Sequence, residues 1–159
     1  MEITSTGIEV TKLALDGLYE RQKAIAANTA NVETPDYQRK EVSFESQLSE
    51  IIKKEEIKNQ IKEVNSQVIG NNKDLTVKEV LRTSPYIIKE QEAILSENNY
   101  GQFKPSVSMD MSQYDQIDGN NVILEKEMMD MAQTGMKYNV IATLQGKMFT
   151  GLQTIIRGQ

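Results

Sequence analysis

Apolar positions recur at alternating steps of three and four at both ends of this chain, and neither stripe is clean. From Thr6 to Asn31, Ile8, Leu15, Leu18 and Ile25 fall on a seven-residue repeat, with Thr11, Gln22 and Thr29 in the remaining core-facing slots. That spacing predicts an amphipathic helix whose face is interrupted by small polar groups, so it packs poorly alone. Thr6 with Glu9 three residues later matches a capping box and predicts the helix start there. The small-residue run Ala24–Ala30 lets another helix come close.

A longer stripe runs from Asn121 to Arg157. Leu124, Met128, Met131, Gly135, Tyr138, Ala142, Gln145, Phe149, Leu152 and Ile156 keep the four-three spacing without a break. Beyond Tyr138 a second stripe opens beside it: Ile141, Leu144, Met148 and Ile155. Such a helix, about 55 Å long at about 1.5 Å per residue, is apolar on more than one side. Asp118, Asn120 and Asn121 are the candidate N-caps, with Glu125 and Glu127 early and Arg157 late, the charge order a helix dipole favours. Gly135, Gly146 and Gly151 each cost about 1 kcal/mol in a helix interior, and either close helix contact or local bending accounts for them.

The middle is polar. Phe44, Leu48, Ile51, Ile52, Ile57 and Ile61 line one side of a charged helix expected from Ser43 to Val64, with the run Lys53–Glu56 on its solvated face. Beyond that helix the chain is punctuated by Asn71-Asn72, Pro85, Asn98-Asn99, Gly101 and Pro105. A short helix is expected over Leu75–Leu81, an extended piece over Pro85–Lys89, and loop from Ser96 to Gly119. The fold class is therefore mainly α. Long N- and C-terminal helices pair as a coiled-coil hairpin around a mixed, partly disordered middle segment, with domain boundaries at 1–34, 35–117 and 118–159.

Between the first helix and the middle lies the most specific stretch. Asn28 and Asn31 share a helix face, and their amides offer both donors and acceptors to passing backbone. Thr34 is pushed out of the α region by Pro35, and Pro35-Asp36 reads as the centre of a turn onto which Tyr37 packs back. The segment locks how the chain leaves its helix.

These residues resemble the N-terminal signature of flagellar basal-body rod and hook proteins, A-N-x-A-N-x-x-T-P-G-Y. Asn28, Ala30, Asn31, Thr34, Pro35 and Tyr37 match it position by position. The departure is Asp36 in place of Gly; Gly would permit a positive φ and a type II turn, whereas Asp favours type I, or the left-handed region at some strain. The stretch Asp118–Met129, with Tyr138 beyond it, resembles the C-terminal helix of the proximal rod subunits, the FlgB family. The chain's shortness favours that family over the longer distal rod and hook proteins.

The resemblance implies a structural subunit exported by the flagellar type III apparatus without a cleaved signal peptide. It would polymerise with itself and other rod subunits into the periplasmic part of the basal body, a hollow drive shaft that transmits torque. Implied partners are the rod-base adaptor, the membrane-ring protein and, during secretion, the export gate. Rod subunits also resemble one another in a Phe-x-x-x-apolar element used at that gate, and Phe44 and Leu48 match it. An alternative is another type III-exported helical hairpin of needle or adaptor type, although such proteins generally lack the Thr34-Pro35 motif.

Composition narrows the chemistry. Only 38% of residues are hydrophobic and 6% aromatic, with no Trp, which suits an elongated molecule whose stripes are completed by neighbouring subunits. No Cys and no His are present, so disulfides, thiol nucleophiles, His or Cys zinc sites and Ser-His-Asp arrangements are excluded. Net charge is −5 with no basic stripe, against a nucleic-acid partner. Met1–Ser5 has neither the basic nor the apolar region of a secretory signal. Glu125, Glu127 and Asp130 invite a two-carboxylate glycosidase reading, but Glu125 and Glu127 do not face each other on a helix. No catalysis, cofactor or small-molecule substrate is expected.

Overall fold

The computed structural model describes residues 2–71, 100–111 and 118–158. Among them are α1 (Glu2–Ala30), β1 (Lys40–Ser43), α2 (Glu45–Asn71), a 3-10 turn (Tyr100–Gln102), β2 (Ser106–Met109) and α3 (Leu124–Arg157). The chain divides into two units, one of residues 1–48 with 103–159 and one of residues 49–102. No helix among the described residues is long and apolar enough to cross a membrane.

In the first unit α1 packs against α3, and β1 and β2 form a two-stranded antiparallel sheet beside α1, with Lys40 opposite Met109 and Ser43 opposite Ser106. The paired terminal helices are as expected; several details are not. α1 runs through Thr6, so the capping box forms no helix start there. Its closed face is Thr11, Leu13, Ala14, Gly17, Leu18, Ala24, Ile25 and Asn28, while Ile8, Leu15, Gln22 and Thr29 are only half-buried. The cause is a second neighbour: Val42 and Phe44 cover α1 on one side as α3 covers it on the other, so the closed face is broader than a single seam.

Gly17 is what admits Phe44. A Cβ there would stand 2.6 Å from the ring. The ring packs with Leu18, Ala24 and Val42, and Leu48, Phe103, Tyr138 and Ile141 close around them. Phe103 meets Phe44 edge-on, centroids 6.4 Å apart, and the Arg21 guanidinium lies 4.8 Å over its face. Arg21 also donates to Val42 O at 2.7 Å and pairs with Glu45 at 2.7 Å. Partial burial opposes the Glu45 charge, but the Arg21 hydrogen bonds outweigh it and hold the carboxyl below its usual range. The pair's contribution is therefore present at neutral pH and lost as pH falls through the lowered folded-state value.

Three further expectations need correction. Phe44 precedes α2 instead of lying on its face, and the helix continues to Asn71, past Val64. Within α2 Ile51 is buried while Ile52 and Ile57 are exposed, and Glu55 is buried with Lys58 3.9 Å away, so Lys53–Glu56 is not a uniformly solvated run. The span from Ser96 to Gly119 contains strand β2 where only loop was expected, because β1 supplies the backbone partners that β2's serines and valine do not advertise. The expected elements at Leu75–Leu81 and Pro85–Lys89 lie outside the described residues.

α3 is 34 residues, about 51 Å at about 1.5 Å per residue. Ile123 occupies the N-cap without a side-chain bond, and none of Asp118, Asn120 or Asn121 caps it. Gly158, at φ +70°, ends the helix in the left-handed region, its N–H donating to Ile155 O. An added Cβ at Gly135, Gly146 or Gly151 meets nothing within 4 Å among the described residues, so close contact with those residues does not explain them.

Gly17→Ala is expected to lower stability by about 1–3 kcal/mol through overpacking. Denaturant unfolding of Gly17→Ala, Phe44→Leu and the double variant checks this, the double being less destabilised than the sum of the singles.

Candidate functional site: the polar junction of the terminal helices

The motif residues gather where α1 ends. Asn28 is fully buried and all four of its hydrogen-bonding positions are used. Nδ2 donates to Lys40 O at 2.9 Å and Glu127 Oε2 at 3.0 Å, and Oδ1 accepts from Lys40 N at 2.8 Å and the Tyr37 hydroxyl at 3.3 Å. Its amide thus exchanges both bonds with Lys40, as a neighbouring strand would. Burial, and then the Glu127 charge, raise the Tyr37 hydroxyl above its usual value, keeping it protonated as a donor. Asn31 Nδ2 donates to Ala27 O at 2.8 Å, and its Oδ1 accepts from the Thr34 hydroxyl at 3.2 Å.

Thr34 O accepts from Tyr37 N at 3.3 Å across Pro35-Asp36, and Asp36 sits at φ +58°. That is the left-handed conformation a type II turn needs at its third residue, so Asp occupies the place that suits Gly. Opposite it Gly119 is at φ +75°, and a Cβ there would meet Asp36 Oδ1 at 2.6 Å. Thr34 and Pro35 are exposed, and so is Ala30.

The junction also uses residues that the sequence reading placed elsewhere. Asn120, fully buried, donates through Nδ2 to the carbonyls of Asn31, Val32 and Thr34 at 2.9–3.0 Å, sealing the end of α1, and accepts from Val122 N at 2.8 Å. Asp36 N donates to Asp118 O at 2.9 Å. The Asn121 amide accepts from Arg39 N and donates to Asp110 O, each at 2.6 Å, standing in for a peptide at the end of the sheet.

Arg39 lies at the centre. Its Nε donates to Glu127 Oε1 at 2.5 Å, and its terminal nitrogens meet Asp110 at 3.2 Å and Asp130 at 3.0 Å. Burial opposes the Arg39 charge, but the Glu127 and Asp110 carboxylates outweigh it and raise its pKa. Glu127 is itself fully buried, its two oxygens taken by Arg39 and Asn28. One cation so ties together the residue after the turn, the end of β2 and the first turns of α3.

The remaining candidate residues lie along α3. Its seam with α1 is Glu127, Met131, Thr134, Tyr138, Ile141, Gln145, Met148 and Leu152, which shares Met131, Tyr138, Gln145 and Leu152 with the first expected stripe and Ile141 and Met148 with the second. Met131, Tyr138, Ile141, Met148 and Leu152 lie on that seam; Leu124, Met128, Leu144, Phe149 and Ile156 are exposed. Two apolar grooves flank the helix pair. One, of about 560 Å³, lies between Ala26, Thr29, Ala30 and Met128, Met131, Ala132. The other, of about 410 Å³, is lined by Leu18, Phe44, Leu48, Met136, Val140 and Ile141, among others. Phe44 is buried and Leu48 half-buried, with Leu48 N bonded to Phe44 O at 2.9 Å. No group of His, Cys, Asp or Glu among the described residues is arranged to hold a metal ion.

The chain matches no family model. It is 30% identical over 157 residues to the flagellar basal body rod protein FlgB of Borrelia hermsii, covering 99% of this chain and 100% of that one. The chain belongs to the FlgB family of flagellar basal body rod proteins. FlgB of Salmonella typhimurium is 27% identical over 147 residues, 91% of this chain and 88% of its own, and FlgB of Bacillus subtilis 26% over 159 residues, 99% and 98%. As a FlgB family member it is a structural subunit of the proximal rod and assembles with other rod components of the basal body.

The α1 side of the junction is legible in the sequence because Asn28, Asn31, Thr34, Pro35 and Tyr37 are close in the chain. Arg39, Asp110 and the inward role of Asn120, Asn121 and Glu127 are not. The one available signal was phase: Glu127 falls on a four-three series with Met131, Thr134, Tyr138 and Ile141, which puts a carboxylate in a seam.

Glu127→Ala leaves Arg39 buried beside an empty space and is expected to cost about 3–5 kcal/mol. Glu127→Gln, which keeps the shape and a hydrogen-bonding oxygen, is expected to cost less, and thermal unfolding of the two variants checks the order.

Proposed function

We propose that the subunit forms the rod wall by laying α3 against copies of itself and against other rod subunits. Residues 1–34 and 118–159 act as the rod core and 35–117 as the intervening segment. The observation that carries this reading is the apolar surface that α3 leaves uncovered. With its seam on α1 already filled, Met128, Met136, Val140, Leu144, Phe149, Ile155 and Ile156 remain exposed, Ile156 by 82%. An apolar surface of that extent beside two grooves marks a site of association. The three α3 glycines, open on this chain, leave room for a neighbour's close approach.

The subunit is exported through the flagellar type III apparatus without a cleaved signal and occupies the periplasmic rod. It contacts the rod-base adaptor and the membrane ring and transmits torque. It needs no catalysis and no cofactor; Glu127, held on both oxygens by Arg39 and Asn28, supports that reading over a hydrolytic one. The Phe44–Leu48 element docks at the export gate before the chain folds, since in the folded unit Phe44 is buried against α1.

Val140→Asp with Ile156→Asp, both exposed, is expected to leave the circular dichroism and melting temperature of the purified chain within a few degrees of the parent while abolishing motility. Removing residues 141–159 is expected to do the same to rod assembly with expression intact, and wild-type swarming in either strain refutes the assembly surface. For the gate element, a secretion assay of Phe44→Ala, Leu48→Ala is expected to show loss of export, and secretion at the parent level refutes it.

A further inference from the structure

We propose that the buried Asn28–Arg39–Glu127 cluster is the register key of the terminal helices, the device that selects one alignment of α3 on α1 from several that the apolar seam accepts. Beyond the cluster the seam is built of residues that tolerate exchange. A slide of α3 by seven residues puts Tyr138 in the place of Met131, Ile141 in that of Thr134, Met148 in that of Ile141, Leu152 in that of Gln145 and Ile155 in that of Met148. One polar exchange, Gln145 for the half-buried Tyr138, puts a long amide in place of a ring that already carries a hydroxyl. α1 offers that seam small residues, Thr11 and Ala14, beside the aliphatic Leu18 and Ile25, with Thr11 bonding back to the Gly7 and Ile8 carbonyls instead of across the seam. Apolar contact of this kind is non-directional and leaves the alignments close in energy.

The cluster does not tolerate exchange. In the slid alignment Thr134 stands where Glu127 was, and its short, uncharged hydroxyl replaces two carboxylate oxygens that reach Arg39 and Asn28 separately. Arg39 Nε and Asn28 Nδ2 would then be left buried without their partner, and Glu127 would lose both of its own. A single polar group in an apolar helix interface is a known way to fix register, because only one alignment satisfies it. Here the key is tripartite. It reads α3 through Glu127, the end of α1 through Asn28 and the start of the sheet through Arg39, so it aligns the hairpin as well.

The chain has no native Cys, which makes alignment directly readable. Gly7 lies beside the end of the Met148 side chain, an added Cβ at Gly7 standing 3.3 Å from its methyl carbon. Dilute full-length chain carrying Gly7→Cys, Met148→Cys is treated with a short thiol-to-thiol bismaleimide cross-linker and compared with Gly7→Cys, Ile155→Cys, which reports the seven-residue slide. With the native cluster the 7–148 cross-link is expected to dominate by at least tenfold. In an Arg39→Met, Glu127→Met background, with helix content retained by far-UV circular dichroism, the 7–155 product is expected to rise to within about threefold of 7–148. A folded background that keeps 7–148 dominant overturns the proposal and leaves register to the Asn120 clamp at the end of α1. If the double variant is not helical, the same comparison on Asn28→Leu decides. Loss of helix there too also overturns the proposal, since the cluster would then be needed for folding and not for choosing an alignment.

Discussion

A buried cation bound by three carboxylates, two on α3 and one at the end of β2, holds this subunit's junction together. Arg39 reaches Glu127 and Asp130 on α3 and Asp110 at the end of β2, and Asn28 joins the same Glu127 from α1. Burying such a pair is not in itself stabilising, because desolvation consumes most of the attraction. What the arrangement supplies is direction. Every donor and acceptor around Asn28 and Glu127 is matched in one geometry, so the end of α1, the Pro35-Asp36 turn, the sheet and the start of α3 take their places together. Asn120 and Asn121 extend that logic by using side-chain amides where peptide groups would otherwise be missing partners.

The apolar part of the unit is modest and asymmetric. One ring, Phe44, is seated on Gly17 and held beneath Arg21, and around it a small cluster forms between α1, the sheet and α3. α3 spends one face on that cluster and keeps another in solvent. A monomer designed to stand alone would not leave Val140, Ile155 and Ile156 uncovered. Under the proposed assembly, neighbouring rod subunits cover them, and the helix that closes the fold along one line would join the rod along another.

Much of this was legible in the residues. Four-three spacing at both termini called for two long helices, and the paired α1 and α3 are those helices. The Asn28–Tyr37 segment announced a locked helix exit because its members interact within about ten residues, where local geometry decides the outcome. The places that were not legible share a physical cause. The β1–β2 sheet joins Lys40 to Met109 and Arg39 meets Glu127, partners far apart in the chain whose residue types have no preference for one another until the fold brings them close.

The phase of each helical seam belongs to the same class. The α3 sequence offers two adjacent apolar stripes, and periodicity alone treats them as equivalent. The seam that turns inward draws on both, Met131, Tyr138 and Leu152 from one and Ile141 and Met148 from the other, and its line runs through the Glu127 carboxylate, since a buried charge goes only where a cation waits. What the sequence determined by itself was the existence of the helices, the polar turn between α1 and the sheet, and the absence of thiol and imidazole chemistry. Tertiary structure alone decided the alignment, the inward face and the role of Arg39, because those depend on desolvation, and a side chain is desolvated only by what the rest of the chain lays over it.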